Sequence, residues 1–253
     1  MDSLLRLIER ALDRVMPSVK EKPTALHAAM RYAVGTGGKR IRPLICLAAA
    51  EAVGGRSRDA VYPACAIELL HNYTLIHDDL PAMDNDRLRR GKPTVWVKFG
   101  EANAILAGDA LLALAYEVAA MAPRKVPEIV TALGRCGVGV VQGQVADLVK
   151  DADVDFVYRH KTADLFVAAA TMGGWAGGGT PRQIRALASY ALNLGLAFQF
   201  EDDLLDGDSP YSQEKTERII RQKTKAAVAA LAKLPGKTDS LKDLALKLIG
   251  RET

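Results

Sequence analysis

The chain has 253 residues, 49% of them hydrophobic and 25% charged, with a formal net charge of +4. That length suits one large domain, 1–253, with a substantial core. The mild positive balance excludes the footprint of a nucleic-acid binder but suits an anionic substrate such as a diphosphate. Cys46, Cys65 and Cys136 are odd in number, widely spaced and set among apolar residues. They read as free buried thiols in a reducing compartment, with no metal-binding pair. No apolar run reaches the roughly 18 residues of a membrane span, and Met1–Leu5 lacks the pattern of a signal peptide, so the expected location is cytoplasmic.

Helical periodicity dominates. Leu4, Leu5, Ile8, Leu12 and Val15 mark a first helix, and Leu26, Met30 and Val34 a second that Gly35-Thr36-Gly37-Gly38 stops. Pro43 sits in the first turn of a third, running to about 53 before Gly54-Gly55. A long apolar helix is expected over 58–79, closed by Pro81. The stretch 84–100 is polar and basic and reads as a loop. Further helices are expected over 101–121, 127–149, 155–173, 181–206, 213–233 and 240–249. No run of alternating residues indicates a strand. The fold class is therefore all-α, a bundle of about ten helices.

Two clusters of Asp fall on these helices. Asp78 and Asp79 end one helix and Asp84 follows Pro81. Asp202 and Asp206 are four apart and share a helix face, with Asp203 turned away by about 100°; Gln199 lies one turn earlier. Close carboxylates repel unless a cation lies between them. Oxygen-only donors suit a hard cation, and magnesium takes phosphate oxygens as further ligands. Either cluster alone reads as a solvated acidic patch. Basic residues flank both: Lys39 and Arg42 in Gly37-Gly38-Lys39-Arg40-Ile41-Arg42-Pro43, then Arg87, Arg89 and Arg90, then Lys161 beside Thr162. His71 lies two turns before Asp78 on the same face.

The segment from Leu70-His71-Asn72-Tyr73-Thr74 through Asp78-Asp79-Leu80-Pro81-Ala82-Met83-Asp84 to Leu88-Arg89-Arg90-Gly91-Lys92-Pro93-Thr94 resembles the first Asp-rich region of trans-isoprenyl diphosphate synthases, most like the bacterial farnesyl diphosphate synthases. Gly37–Pro43, Gly108-Asp109-Ala110-Leu111-Leu112, His160-Lys161-Thr162 and Phe198–Asp206 follow in the family's order, and the resemblance covers roughly residues 20 to 208. It implies mostly antiparallel helices around a deep central cavity, usually in a homodimer. By motif position, Asp78 and Asp84 would bind two magnesium ions and Asp202, supported by Asp206, a third. Arg89, Lys161, Thr162 and Gln199 would hold the allylic diphosphate; Lys39, Arg42, His71 and Arg90 would hold isopentenyl diphosphate. Tyr73 and Thr74 lie below the first cluster, and an aromatic at Tyr73 implies a floor that stops growth at farnesyl diphosphate. The alternatives are geranylgeranyl diphosphate synthase, a non-catalytic regulatory subunit of a prenyl synthase, and a terpene cyclase.

The chain departs from that pattern in two places. After Asp206 the family's Gly-Lys segment and Lys-x-Thr-aromatic-Pro motif have no clear match, and Lys215 is a poor substitute on spacing. The stretch 149–156 is also short.

Overall fold

The computed structural model describes residues 2–149 and 153–248. Among them twelve α-helical segments run in the order α1 Asp2–Val15, α2 Thr24–Gly35, α3 Ile41–Ala52, α4 Val61–Asp78, α5 Val95–Phe99, α6 Glu101–Ala120, α7 Val126–Asp147, α8 Val154–Val157, α9 Asp164–Ala176, α10 Pro181–Asp206, α11 Gln213–Leu231 and α12 Asp239–Leu248. The all-α expectation holds. Part of the short 149–156 stretch, and Ile249, lie outside the described residues.

The helix boundaries follow from local chemistry. Thr180 caps α10 by accepting the Gln183 amide, Gln183 answers from its side chain, and Pro181 fills the first turn. This reciprocal cap satisfies donors that a helix start leaves open. Gly207, at φ 80°, closes the other end in the left-handed region. α4 is buried on most sides, with Ala64, Cys65, Ile67, Leu69 and Leu70 all sealed from solvent. It packs on α6, while α3 packs on α9, and α10 lies between α9 and α11.

The stretch 84–100 corrects the loop expectation. It holds a two-stranded hairpin, β1 Leu88–Arg89 against β2 Lys92–Pro93, and then α5. Arg90 and Gly91 both have positive φ at its tip, which is the geometry that suits a tight hairpin. Strands of two residues are too short to leave an alternating pattern.

The helix expected over 155–173 also differs. α8 and α9 are joined by a π-helical turn, Tyr158–Ala163. Two glycines hold it by absence of a side chain. A Cβ on Gly143 of α7 would lie 2.3 Å from the Lys161 backbone nitrogen, and one on Gly195 of α10 would lie 2.7 Å from the Ala163 Cα. Such turns are rare and occur mostly at functional sites.

Against the sequence expectation, α6 and α7 are each long and apolar enough to cross a membrane by length and composition. In the fold both are bundle helices, contributing Ala104, Ala107, Leu111, Leu133 and Val140 to the main core.

One ion pair ties the first helices together. Arg40 stands immediately before α3 in the left-handed region, φ 48°. Its guanidinium donates to Glu68 of α4 at 2.8 Å, Glu9 of α1 at 2.7 Å and the Val34 carbonyl of α2 at 2.7 Å. Arg40 and Glu68 are 4% and 3% exposed. Replacing Arg40 by Met strands a buried carboxylate, and chemical denaturation should show a loss of about 3–5 kcal/mol; changing Arg40 and Glu68 together to apolar residues should lose less.

The glycines of α7 give a prediction of opposite signs. Gly143→Ala forces backbone against backbone and should cost about 1–3 kcal/mol. Gly137→Ala meets only ordinary contacts, with Leu70 at 3.5 Å and Tyr116 at 3.6 Å, and should stabilise by about 0.5–1 kcal/mol as a helix Gly→Ala change. Thermal melts of both variants check this.

Candidate active site

Asp78 is the last residue of α4. The chain then turns back on itself, so that the Asp84 amide donates to the Asp78 carbonyl at 2.9 Å and the Asn85 amide to the Leu80 carbonyl at 3.0 Å. The turn brings Asp84 beside Asp78. Burial pushes the Asp78 carboxyl up to about 6, with Asp84 and Asp79 adding to the rise and Lys161 and Arg89 opposing it. A cation between these acids would reverse that penalty.

Asp79, which the sequence reading left without a role, points inward and is 3% exposed. It accepts from Arg89, through Nε at 2.7 Å and Nη2 at 2.6 Å. Arg89 also reaches Asp86 at 3.4 Å. The structure therefore places Arg89 on the acids of its own turn. Burial raises the Asp79 carboxyl and Arg89 opposes the rise.

The facing wall is the π turn. Lys161 pairs with Asp147 of α7 and is close enough to act on Asp78. Thr162 donates to the Gln199 carbonyl at 2.6 Å. Gln199 donates through its amide to Asp203, not Asp202, at 2.7 Å. Tyr158 donates to the other oxygen of Asp203. Burial pushes the Asp203 carboxyl up to about 6, helped by Asp208, Asp206 and Asp147. Asp203 is thus better integrated than the sequence reading allowed; its i, i+4 spacing from Gln199 was the available signal. Asp206 is exposed in the last turn of α10, and Asp202 lies near enough to Arg42 to stabilise its charge.

The basic wall comes from the turn before α3. Gly38, at φ 132°, leaves room only for the Arg90 guanidinium, whose nitrogen a Cβ there would approach to 2.7 Å. Arg90 donates to the Gly37 carbonyl. Arg42 lies 3.2 Å from His71 Nε2 and over the Phe166 ring at 5.2 Å. Burial and the charges of Arg42, Arg90, Arg89 and Arg40 hold the His71 pKa well below its usual value, so His71 is neutral at pH 7. Arg42 Nε and His71 Nδ1 are buried without a hydrogen-bond partner. An orphaned buried polar group costs about 1–3 kcal/mol, which an anionic ligand would relieve. Lys39 is exposed beside them.

Tyr73 is half-buried and packs edge-on against His77 at 4.9 Å, near Asp109 and Tyr116. Thr74 lies one turn below Asp78, buried, with its hydroxyl given to the His71 carbonyl at 2.8 Å. Beyond Asp206 the chain turns tightly: Gly207 and Asp208 donate to the Asp203 carbonyl, and α11 begins at Gln213. Lys215 sits 3.4 Å over the Tyr211 ring.

Among the described residues, no three acidic, His or Cys side chains form a metal cage unaided. The donors fit magnesium in chemistry, since they are carboxylate oxygens gathered at two helix ends, with coordination left for phosphate oxygens.

The polyprenyl synthetase family model matches residues 23–250. Geranylgeranyl pyrophosphate synthase 4 of Arabidopsis thaliana is 45% identical over 222 residues, which are 81% of this chain and 59% of that protein. The chain thus spans about three fifths of the first curated relatives it matches. Geranylgeranyl diphosphate synthase of Cyanophora paradoxa is 40% identical across 95% of this chain and 83% of its own. The crystal structure of an FPP/GFPP synthase from Zymomonas mobilis superposes with a TM-score of 0.89 at 34% identity, covering 96% of this chain and 95% of that one. With a family model over most of its length and relatives at this identity, the chain belongs to the polyprenyl synthetase family, whose members are trans-isoprenyl diphosphate synthases.

Proposed function

We propose that the protein is a magnesium-dependent prenyltransferase that condenses isopentenyl diphosphate with an allylic diphosphate and releases inorganic diphosphate. The observation that carries this reading is the facing of the α4 C-terminus and the π turn. They bring the raised carboxyl of Asp78, beside Asp84, within electrostatic reach of Lys161, with the unpartnered nitrogens of Arg42 and His71 on the other side.

Asp78, Asp84, Asp202 and Asp206 would hold magnesium, which when bound supplies charge stabilisation to the departing diphosphate. Lys161, Thr162 and Gln199 hold the allylic diphosphate in place, and Arg89 buttresses the acid turn from Asp79 while adding positive charge. Lys39, Arg42, His71 and Arg90 fix the second diphosphate, with arginine giving paired hydrogen bonds. Fixed cations aimed at the leaving group act where charge develops. The allylic carbon–oxygen bond breaks, the double bond of isopentenyl diphosphate forms the new carbon–carbon bond, and a proton passes to the released diphosphate. The apolar walls keep water from the carbocation.

The product we favour is geranylgeranyl diphosphate, supported by the names that the matched relatives carry. This replaces the farnesyl expectation as the leading reading. Farnesyl diphosphate stays as the second, on one observation: Tyr73 is five residues before Asp78, about 7.5 Å down α4, and its half-buried ring packs on His77. Incubating the protein with magnesium, isopentenyl diphosphate and each allylic primer, then chromatographing the products, should give chains of twenty carbons. Fifteen-carbon products that lengthen in Tyr73→Ala would establish the farnesyl reading, and no elongation with any primer would defeat the enzyme reading.

We also infer a homodimer. α7 exposes Val138, Val141 and Val145 at helical spacing, with Leu148 just past its end, and α6 exposes Ile105 and Leu106. Exposed apolar stripes of this kind mark association surfaces. Sedimentation should give a particle of twice 27.2 kDa, and Val145→Glu, at a position 60% exposed, should yield a folded monomer.

A further inference from the structure

Tyr158 carries none of the roles assigned so far, yet it stands at the first position of the π turn that delivers Lys161 and Thr162. π-helical turns are rare inside helices and frequent at functional sites. Tyr158 is 9% exposed, and its ring meets Phe200 edge-on at 4.9 Å. With Val157, Phe200 and Ile220 it forms a small second core, on which Tyr211 packs.

The hydroxyl begins a directed chain. Tyr158 donates to one oxygen of Asp203. The other oxygen accepts the Gln199 amide at 2.7 Å. That fixes which way the Gln199 amide points, because its carbonyl must then face Thr162, which donates to it at 2.6 Å. With Asp203 held on both oxygens, Gln199 has one orientation; with one oxygen released, the carboxylate can rotate and the amide can flip.

The chain's own topology makes this latch matter. α10 turns into α11 through six residues, Gly207 to Ser212, and Lys215 is stacked on Tyr211. The allylic side is therefore held from beneath, through the second core.

We propose that Tyr158 is a positioning residue for the allylic diphosphate: by fastening Asp203 it sets Gln199 and Thr162 and pins the π turn to α10. The inference rests on the prenyl-transfer reading above.

Tyr158→Phe keeps the ring and removes only the hydroxyl. The KM for the allylic diphosphate should rise about tenfold, the size of one lost hydrogen bond to a charged group, while the KM for isopentenyl diphosphate stays within about twofold. Calorimetric titration with inorganic diphosphate and magnesium should show a matching weakening. Tyr190→Phe is the structural control. Its buried hydroxyl donates to the Leu241 carbonyl at 2.7 Å, in α12, so that variant should lose stability and leave both KM values in place. A Tyr158→Phe protein with unchanged diphosphate binding, with both KM values raised equally, or with no more selectivity than Tyr190→Phe overturns the latch and leaves the prenyl-transfer reading standing. Wild-type protein that takes up no diphosphate overturns both.

Discussion

The guanidinium of Arg40 is the constraint on which the turn carrying Lys39 and Arg42 depends. One buried cation joins α1, α2 and α4 at the start of α3 through Glu9, the Val34 carbonyl and Glu68. Asn72 closes the arrangement by donating to Glu68 at 3.3 Å. A charge buried this deeply is tolerated only when paired and hydrogen-bonded, and Arg40 is. Its backbone adopts a left-handed turn that a non-glycine residue rarely takes. The reward is positional: Lys39 and Arg42, the neighbours on either side of the Arg40–Ile41 pair, are presented from a rigid turn, and Arg42 meets His71. The cation that the motif reading passed over builds the platform, and those it singled out stand on it.

The acidic side is arranged against its own electrostatics. Asp78 ends α4 and Asp206 ends α10. Helix C-termini carry partial negative charge, so a carboxylate there is disfavoured by about 0.3–1 kcal/mol. Burial then pushes Asp78 and Asp203 up to about 6 each. An unliganded protein gains nothing from collecting acids at two helix C-termini. On the prenyl-transfer reading, divalent cations with diphosphate between the helices would make the arrangement favourable, with the lysine and arginine side chains opposing the same charge. The site would then be preorganised for its ligands, which is how fixed electrostatics raise a rate.

Most of the helical frame was legible because Pro, Gly and period-3.6 apolar residues punctuate it. Thr180-Pro181 and Gly207 bound α10 where the sequence placed it. Three features escaped. The 88–93 hairpin is too short for a pattern, α5 is only five residues long, and the π turn shifts the register inside what reads as one continuous helix. The partners on α10 were also misjudged. Wheel geometry on α10 put Gln199 with Asp202, three residues on, and set Asp203 aside. The side-chain bonds instead run at i, i+4 and across to the π turn. The pairs Asp79–Arg89 and Lys161–Asp147 were illegible for another reason: the motif assigned Arg89 and Lys161 to substrate and gave neither a partner within the chain.

Those internal pairs sharpen what the short turn after Asp206 means. Without ligand, Lys161 and Arg89 each rest on a carboxylate of the chain. On the prenyl-transfer reading, taking up diphosphate would be an exchange of partners, in which Asp147 and Asp79 compete with phosphate for the same cations. A pair that is partly exposed is worth only about 0–1 kcal/mol, so Lys161, 30% exposed, with Asp147, 41% exposed, yields readily. Arg89 on the buried Asp79, 4% exposed, does not, because releasing it would strand a buried acid. The two cations that the motif assigned to one diphosphate are thus unequal by environment: on that reading Lys161 would be the group to move to substrate, and Arg89 is the fixed strut that holds the first acidic turn through Asp79.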